Sequence, residues 1–394
     1  MDPSVVGLSA FFATAPLSFL VLYLHPKIAW VVVVVGHLLP LTQIALPIDT
    51  RLAAIPAVAA QGLALMAAKG PAAHGSPPRS VAGLLAMTMV FVGSAAWSVA
   101  PARTLSAALA WILLLAALFV FSQVLSLPTM RDISLRIASL VLLLSALAVV
   151  LGAPWAFAGG RATGVLTNAN GIGVLCALTV PWLLDRPRSR TRWVGLGVAT
   201  LLLLMSGSRA GALGAVLGVL VVAWRSGLGR MRLLLALVSA ATVWGLSGLD
   251  FADLNFTSSL FRTNNSREDL WVLSMEHFSD QPYRGIGFGA LDLIGGSSYV
   301  KLAAELGVLG IALAIAVMAP IIRRARESSV ALGTAIAGLA NAAFESWLMA
   351  AGSFYSLLFF TAVLTIDSGE DESHDSMGGK HADTSVRASP KCSA

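Results

Sequence analysis

Arginines set apart from the chain's other cations carry its clearest chemistry: Arg161, Arg209, Arg267 and Arg284, with Arg262 nearby. Guanidinium is planar, permanently charged and bidentate toward phosphate, so a group of them at one surface suits a phosphate or diphosphate. Arg209 poses the question most sharply. It sits in "MSGSRAGALGAVLGVLVVAW" (Met205–Trp224), among glycines, serines and alanines and directly ahead of an apolar run. Each of these arginines also has a plainer reading, as an interfacial anchor that snorkels to lipid headgroups. Two carboxylates are candidates for proton transfer: Glu345, in an otherwise apolar region, and Glu305. Their structural alternatives are a partner for an arginine or helix end at Glu345, and packing against a polar neighbour at Glu305. His277 reads as a solvated loop histidine in a position to serve as a base. Trp271, Tyr283 and Tyr299 offer faces for stacking a ligand or members of an interfacial aromatic belt.

Metal and nucleotide chemistry find little support. The histidines, at 25, 37, 74, 277, 374 and 381, never fall at i and i+4 or beside a second ligand cluster, and no DxD pair accompanies them in the region of the arginines. A metal-free site without cofactor is expected. The GxGxG of "RGIGFGALD" follows no strand and lies in no βαβ unit, so its glycines read as tight turns near the membrane, where side chains would obstruct a bulky ligand. Cys176 in an apolar run and Cys392 near the end give neither a disulfide framework nor a CxxC pattern.

The elements that must position these residues are membrane helices. The chain is 57% hydrophobic and 12% charged over 394 residues, whereas charged residues make up about 25% of a soluble domain. A bilayer core about 30 Å thick needs about 20 mostly apolar residues per span. Such runs lie near 4–24, 28–47, 52–68, 81–99, 104–127, 137–158, 171–185, 194–207, 210–224, 233–248, 298–322, 329–346 and 353–366. The fold expected is an all-α polytopic bundle of twelve or thirteen spans, since the first and last pairs are short. The first run lacks a basic n-region and reads as a retained span.

Topology follows from charge. The formal net charge of +6 comes with no aromatic-interleaved basic domain, so no nucleic-acid partner is expected. The arginines at 186, 188, 190 and 192, at 225, 230 and 232, and at 323, 324 and 326 fill short loops that the positive-inside rule makes cytoplasmic. Alternation then puts Arg161, Asn168, Asn170, Arg209, the turn from Glu345 to Ser353 and one long loop, 249–297, on the extracytoplasmic side. Arginine should be depleted there, which makes the outer group harder to dismiss. Four sections result: N-terminal spans over 1–248, the external loop over 249–297, C-terminal spans over 298–366, and a polar, disordered cytoplasmic tail over 367–394. Within the loop, "SREDLWVLSMEHF" has Leu270, Leu273 and Phe278 near helical spacing behind a Ser266 cap, an amphipathic helix on the membrane surface.

In order, "RATGVLTNANGIGV" (161–174), "SGSRAGALGAVLGVLVV" (206–222), "SREDLWVLSMEHFSDQPYRGIGFGALD" (266–292), "SSYVKLAAELGVLG" (297–310) and "FESWLMAAGSFYSLLFF" (344–360) resemble the O-antigen ligase and O-antigen polymerase superfamily. The resemblance covers residues 130–366. It implies a GT-C-like membrane glycosyltransferase that moves a glycan from an undecaprenyl-diphosphate carrier to a glycan or lipid acceptor at the outer face of the bacterial cytoplasmic membrane. No nucleotide sugar or metal is implied, and other envelope polysaccharide assembly proteins are conceivable partners. The family's "SRAG" arginine and the arginine of R-x-x-x-W contact the donor diphosphate. They match Arg209 and Arg267, the latter with Trp271, while R-x-x-G…N-x-N matches Arg161, Asn168 and Asn170. Ligases carry a histidine just before the stretch matching "SSYV". Gly296 stands there, which favours a polymerase-type member over a ligase.

A transporter or flippase for a lipid-linked solute is the alternative. Transporters bury charges near the bilayer midplane in discontinuous helices and often show inverted repeats. Here the runs at 28–47, 104–127 and 233–248 carry no Asp, Glu, Lys or Arg, no repeat is evident, and polar chemistry gathers outside the membrane. A scaffolding subunit with a degenerate site is a third reading.

Overall fold

The computed structural model describes residues 25–43, 79–185, 190–225, 268–291, 296–350 and 353–364. Helix dominates: α1 (Pro26–Leu38), α2 (Arg79–Gly93), α3 (Pro101–Ser122), α4 (Leu127–Val150), α5 (Ala169–Asp185), α6 (Arg190–Ser206), α7 (Arg209–Arg225), α8 (Glu268–Asp280), α9 (Ser298–Ala325), α10 (Ser329–Ala342) and α11 (Phe354–Val363). One two-stranded hairpin, β1 (Phe157–Ala158) with β2 (Arg161–Ala162), interrupts them. Among the described residues α3, α4 and α9 are long and apolar enough to cross a membrane; α1, α2, α5, α10 and α11 are apolar but shorter. The expected runs at 4–24, 52–68 and 233–248, and the tail over 367–394, lie outside the described residues.

Side-chain placement suits an apolar solvent. On α3, Leu105, Leu109 and Ile112 face outward, and on α4 so do Leu140, Leu143, Leu144 and Leu147. Contiguous apolar surface of this kind is what a soluble domain avoids. Hydroxyls turn inward instead: Ser134, Ser145 and Thr179 are buried. The Ser134 and Thr179 hydroxyls return to the carbonyls of Met130 and Leu175, one turn back.

Small residues weld the centre, where α5, α7 and α10 meet almost backbone to backbone. A Cβ on Gly211 would run into the Gly173 backbone, one on Gly214 would lie 2.7 Å from the Ala337 carbonyl, and one on Gly218 would lie 2.8 Å from Pro181. This is the small-residue packing that membrane helices use where burial of apolar surface supplies no driving force. The seam also fixes how far α7 projects, and therefore where its first residue, Arg209, stands.

Chain alternation sorts the helix ends into two poles. At one, Gln43 Nε2 donates to the carbonyls of Trp155 (2.7 Å) and Leu166 (2.9 Å), and Trp97 Nε1 donates to the Arg284 carbonyl (3.0 Å). Ser298 Oγ donates to the Glu345 carbonyl there (2.6 Å). At the other, Trp182 Nε1 donates to Asp132 (3.3 Å), and Arg225 donates to the Arg326 carbonyl. Arg161, Arg209, Glu345 and the loop over 281–291 share the first pole.

The run expected as one continuous span at 298–322 is broken. Gly307 takes φ 63°, ψ −156° inside α9. The loop over 281–291 is inserted into the helical ladder at that point. Ile286 and Gly287 N–H groups donate to the carbonyls of Ala304 (3.1 Å) and Glu305 (2.8 Å), while the Val308 and Leu309 N–H groups donate to Pro282 (2.7 Å) and Tyr283 (3.3 Å). Four backbone groups at the break are thereby satisfied by the loop. The glycines of "RGIGFG" make room for protein and not for ligand: side chains at 285, 287 and 289 would strike Glu305, Ser98 and Ala107.

Candidate functional site

Arg161 is positioned by the hairpin. Gly159 and Gly160 both have positive φ (56° and 73°), the combination a two-residue type I′ turn requires. Arg161, pairing with Ala158, follows immediately. Its Nε donates to the Ser206 carbonyl and its Nη2 to Asn170 Oδ1, each at 2.7 Å. One guanidinium thus ties the start of α5 to the end of α6. Asn168 Oδ1 accepts from the Asn170 N–H (2.8 Å), capping the first turn of α5.

Directly after Ser206 the chain reverses. Gly207 takes φ 57°, Ser208 Oγ accepts from the Gly211 N–H (3.2 Å) as an N-cap, and Arg209 opens α7. Gly173 lacks a side chain where Ser208 packs, which brings the α7 N-terminus against α5. Arg209 is exposed.

Glu345 lies just past α10, buried at 7% exposure. Its neighbour Trp347 donates Nε1 to Asn341 Oδ1 (2.7 Å) and meets the Tyr355 ring edge-on at 6.3 Å. Tyr355 lies within electrostatic reach of the Glu345 carboxylate. Its hydroxyl fills the space that a side chain on Gly171 would need. Arg161, Asn168, Asn170, Arg209 and Glu345 therefore come together around the N-terminal turns of α5 and α7.

The remaining candidates lie apart from this group or beside it. Glu305 is 2% exposed and faces the loop, with the Gly289 and Leu291 N–H groups directed at its carboxylate and Lys301 Nζ 3.7 Å away. That is a structural setting for Glu305, two helical turns from the Glu345 carbonyl that Ser298 holds. Tyr299 gives its hydroxyl to the Leu339 carbonyl (2.8 Å). Trp271, on α8, stacks on Phe344 at 6.5 Å, next to Glu345, and faces Gly296. Arg284 is exposed at the rim of the α9 clasp, and its carbonyl accepts from Trp97. Arg267 and Arg262 lie outside the described residues. His277 is half-buried, its carbonyl accepting from the Gln281 N–H.

The helix ends gathered at this pole favour anions electrostatically. Helices α5, α7, α9 and α11 all begin here, and none carries an acidic residue in its first turn. The positive ends of helix dipoles and their unsatisfied N–H groups favour anions, and Arg161 and Arg209 add charge of the same sign. Among the described residues no group of three or more His, Cys, Asp or Glu side chains is placed to hold a metal ion. Sequence reasoning missed Tyr355, Asn341 and Ser208; the signal for Tyr355 was the glycine at 171, whose meaning needs the fold. No family model matches this chain, and no curated protein matches it.

Proposed function

We propose that this chain is a polytopic, metal-independent glycosyltransferase of the O-antigen polymerase or ligase type, polymerase-type favoured. It moves a glycan from an undecaprenyl-diphosphate carrier to an acceptor hydroxyl at the extracytoplasmic face of the bacterial cytoplasmic membrane. A GT-C-like bundle of twelve or thirteen spans belongs to the same proposal. The observation that carries it is the junction of Arg161 with Asn170 and Ser206 beside Arg209 on the α7 N-terminus. Cations gathered on already positive helix ends call for a multiply charged anion.

In this mechanism Arg209, with Arg267 as the second half of the clamp, holds the carrier diphosphate and stabilises the charge that grows on it as the anomeric C–O bond breaks. The acceptor hydroxyl attacks the anomeric carbon from the opposite face, inverting it. Its proton passes to the Glu345 carboxylate, and the carrier leaves as a diphosphate that needs no protonation. Reconstitution with a synthetic polyprenyl-diphosphate oligosaccharide tests the reading: products of increased mass on the carrier support polymerisation, and glycan on a new acceptor supports ligation.

The break at Gly307 favours a second reading. Discontinuous helices with a buried carboxylate, here Glu305, are how transporters build solute sites. Movement of unaltered substrate across the vesicle membrane would establish that reading and exclude transfer.

A further inference from the structure

Tyr355 belongs to a stretch, "FYSLLFF", whose aromatic residues otherwise fill the core: Phe354, Phe359 and Phe360 are fully buried. Its position differs from theirs. The ring meets Trp347 edge-on, the indole is itself held by Asn341, and the phenol points away from the core aromatics. That direction ends at the first turn of α5, where Gly171 supplies space that any side chain would take away. Asn170, the next residue back, is the one that Arg161 binds, and Glu345 is the nearby charge. A hydroxyl delivered to the first turn of α5, one residue from the Asn170 that Arg161 binds, is a neutral donor added to the positive end of a helix.

Resting on the reading above, we propose that the Tyr355 hydroxyl is a direct contact to the donor diphosphate, donating a hydrogen bond to a phosphate oxygen at the Arg161–Asn170 end of the site. The phenol keeps its proton throughout. Asn341 and Trp347 are positioning residues, acting only through the ring they hold.

Tyr355→Phe removes the hydroxyl and preserves the packing with Trp347. With the full chain in nanodiscs, affinity is measured for undecaprenyl diphosphate and for undecaprenol, which share the lipid but not the anion. A hydrogen bond to a charged partner corresponds to about a tenfold change or more. The variant is expected to lose about tenfold affinity for the diphosphate with undecaprenol binding unchanged, and Gly171→Ala, which displaces the hydroxyl, to do the same. Unchanged diphosphate affinity in Y355F overturns the inference, as does equal loss for both lipids or a wild type that does not prefer the diphosphate. A wild type that prefers the diphosphate yet transfers no glycan removes the transferase reading and leaves this contact standing.

Discussion

Helix α7 begins and ends with arginine, and the two ends teach different things. Arg225 sits in the last turn, where the negative end of the helix dipole favours a cation, and it donates to the Arg326 carbonyl. Beside it Trp224 is 82% exposed, an interfacial aromatic next to an interfacial cation. Everything about Arg225 is accounted for by helix and membrane. Arg209 occupies the opposite end, where the same dipole disfavours it. It stands next to an Asn170–Arg161–Ser206 junction, two residues ahead of Gly211, which is packed against the Gly173 backbone. The helix gives no reason for this arginine. A bound anion does.

Substitutions at the two ends should therefore separate by orders of magnitude. Arg209→Lys keeps the charge but loses the planar fork, and we expect a loss of about a hundredfold in glycan transfer, the scale of removing one charge-stabilising donor. Arg225→Lys should stay within about twofold of wild type in the same reconstituted assay. Equal effects would dissolve the comparison. Arg161→Gln breaks the tie between α5 and α6 without touching α7, and about a tenfold fall in transfer is expected, since Arg209 remains. Cysteine placed at 209 should react with a membrane-impermeant maleimide on intact cells, while cysteine at 225 should react only after permeabilisation. The reverse pattern would invert the topology and remove the site from the face where the carrier-linked donor is presented.

Stability changes sharpen the contrast at smaller scale. Gly211→Val forces side-chain volume into the Gly173 backbone at the Arg209 end of the seam, and overpacking of this kind costs about 1–3 kcal/mol. A lowered melting temperature in detergent is the readout. Gly307→Ala places a Cβ 2.5 Å from the Pro282 carbonyl at positive φ, and a residue held in such a region costs about 1–3 kcal/mol. That variant should release the loop over 281–291 and increase its proteolysis, whereas Gly197→Ala, with open space around it, should be neutral.

Much of this was legible in the sequence, unevenly and for physical reasons. Apolar runs bounded by arginines gave α7 to within a residue at each end, because Ser208 and Gly207 punctuate its start and Arg225 its end. Arg161, Asn168 and Asn170 were legible as one polar group through the resemblance, whereas the bond from Arg161 to Asn170 needs the fold. The break at Gly307 was not legible, since "AAELGVLGIALA" is apolar around it apart from Glu305 and the cause lies in a loop inserted from elsewhere in the chain. The "GIGFG" glycines do make the tight turns the sequence suggests, but the space they leave is filled by Ser98, Ala107 and Glu305 and not by a ligand. Glu305 looked like a second proton acceptor because a carboxylate in an apolar helix stands out. Its partners, the Gly289 and Leu291 N–H groups, come from that inserted loop.

Binding separates the two ends of α7 without requiring any chemistry to follow. Undecaprenyl diphosphate would be titrated against wild type, R209K and R225K in nanodiscs of one lipid composition. We expect R209K to bind at least about tenfold more weakly and R225K to bind as wild type does. Equal affinity across all three would contradict the claim that Arg209 holds a diphosphate.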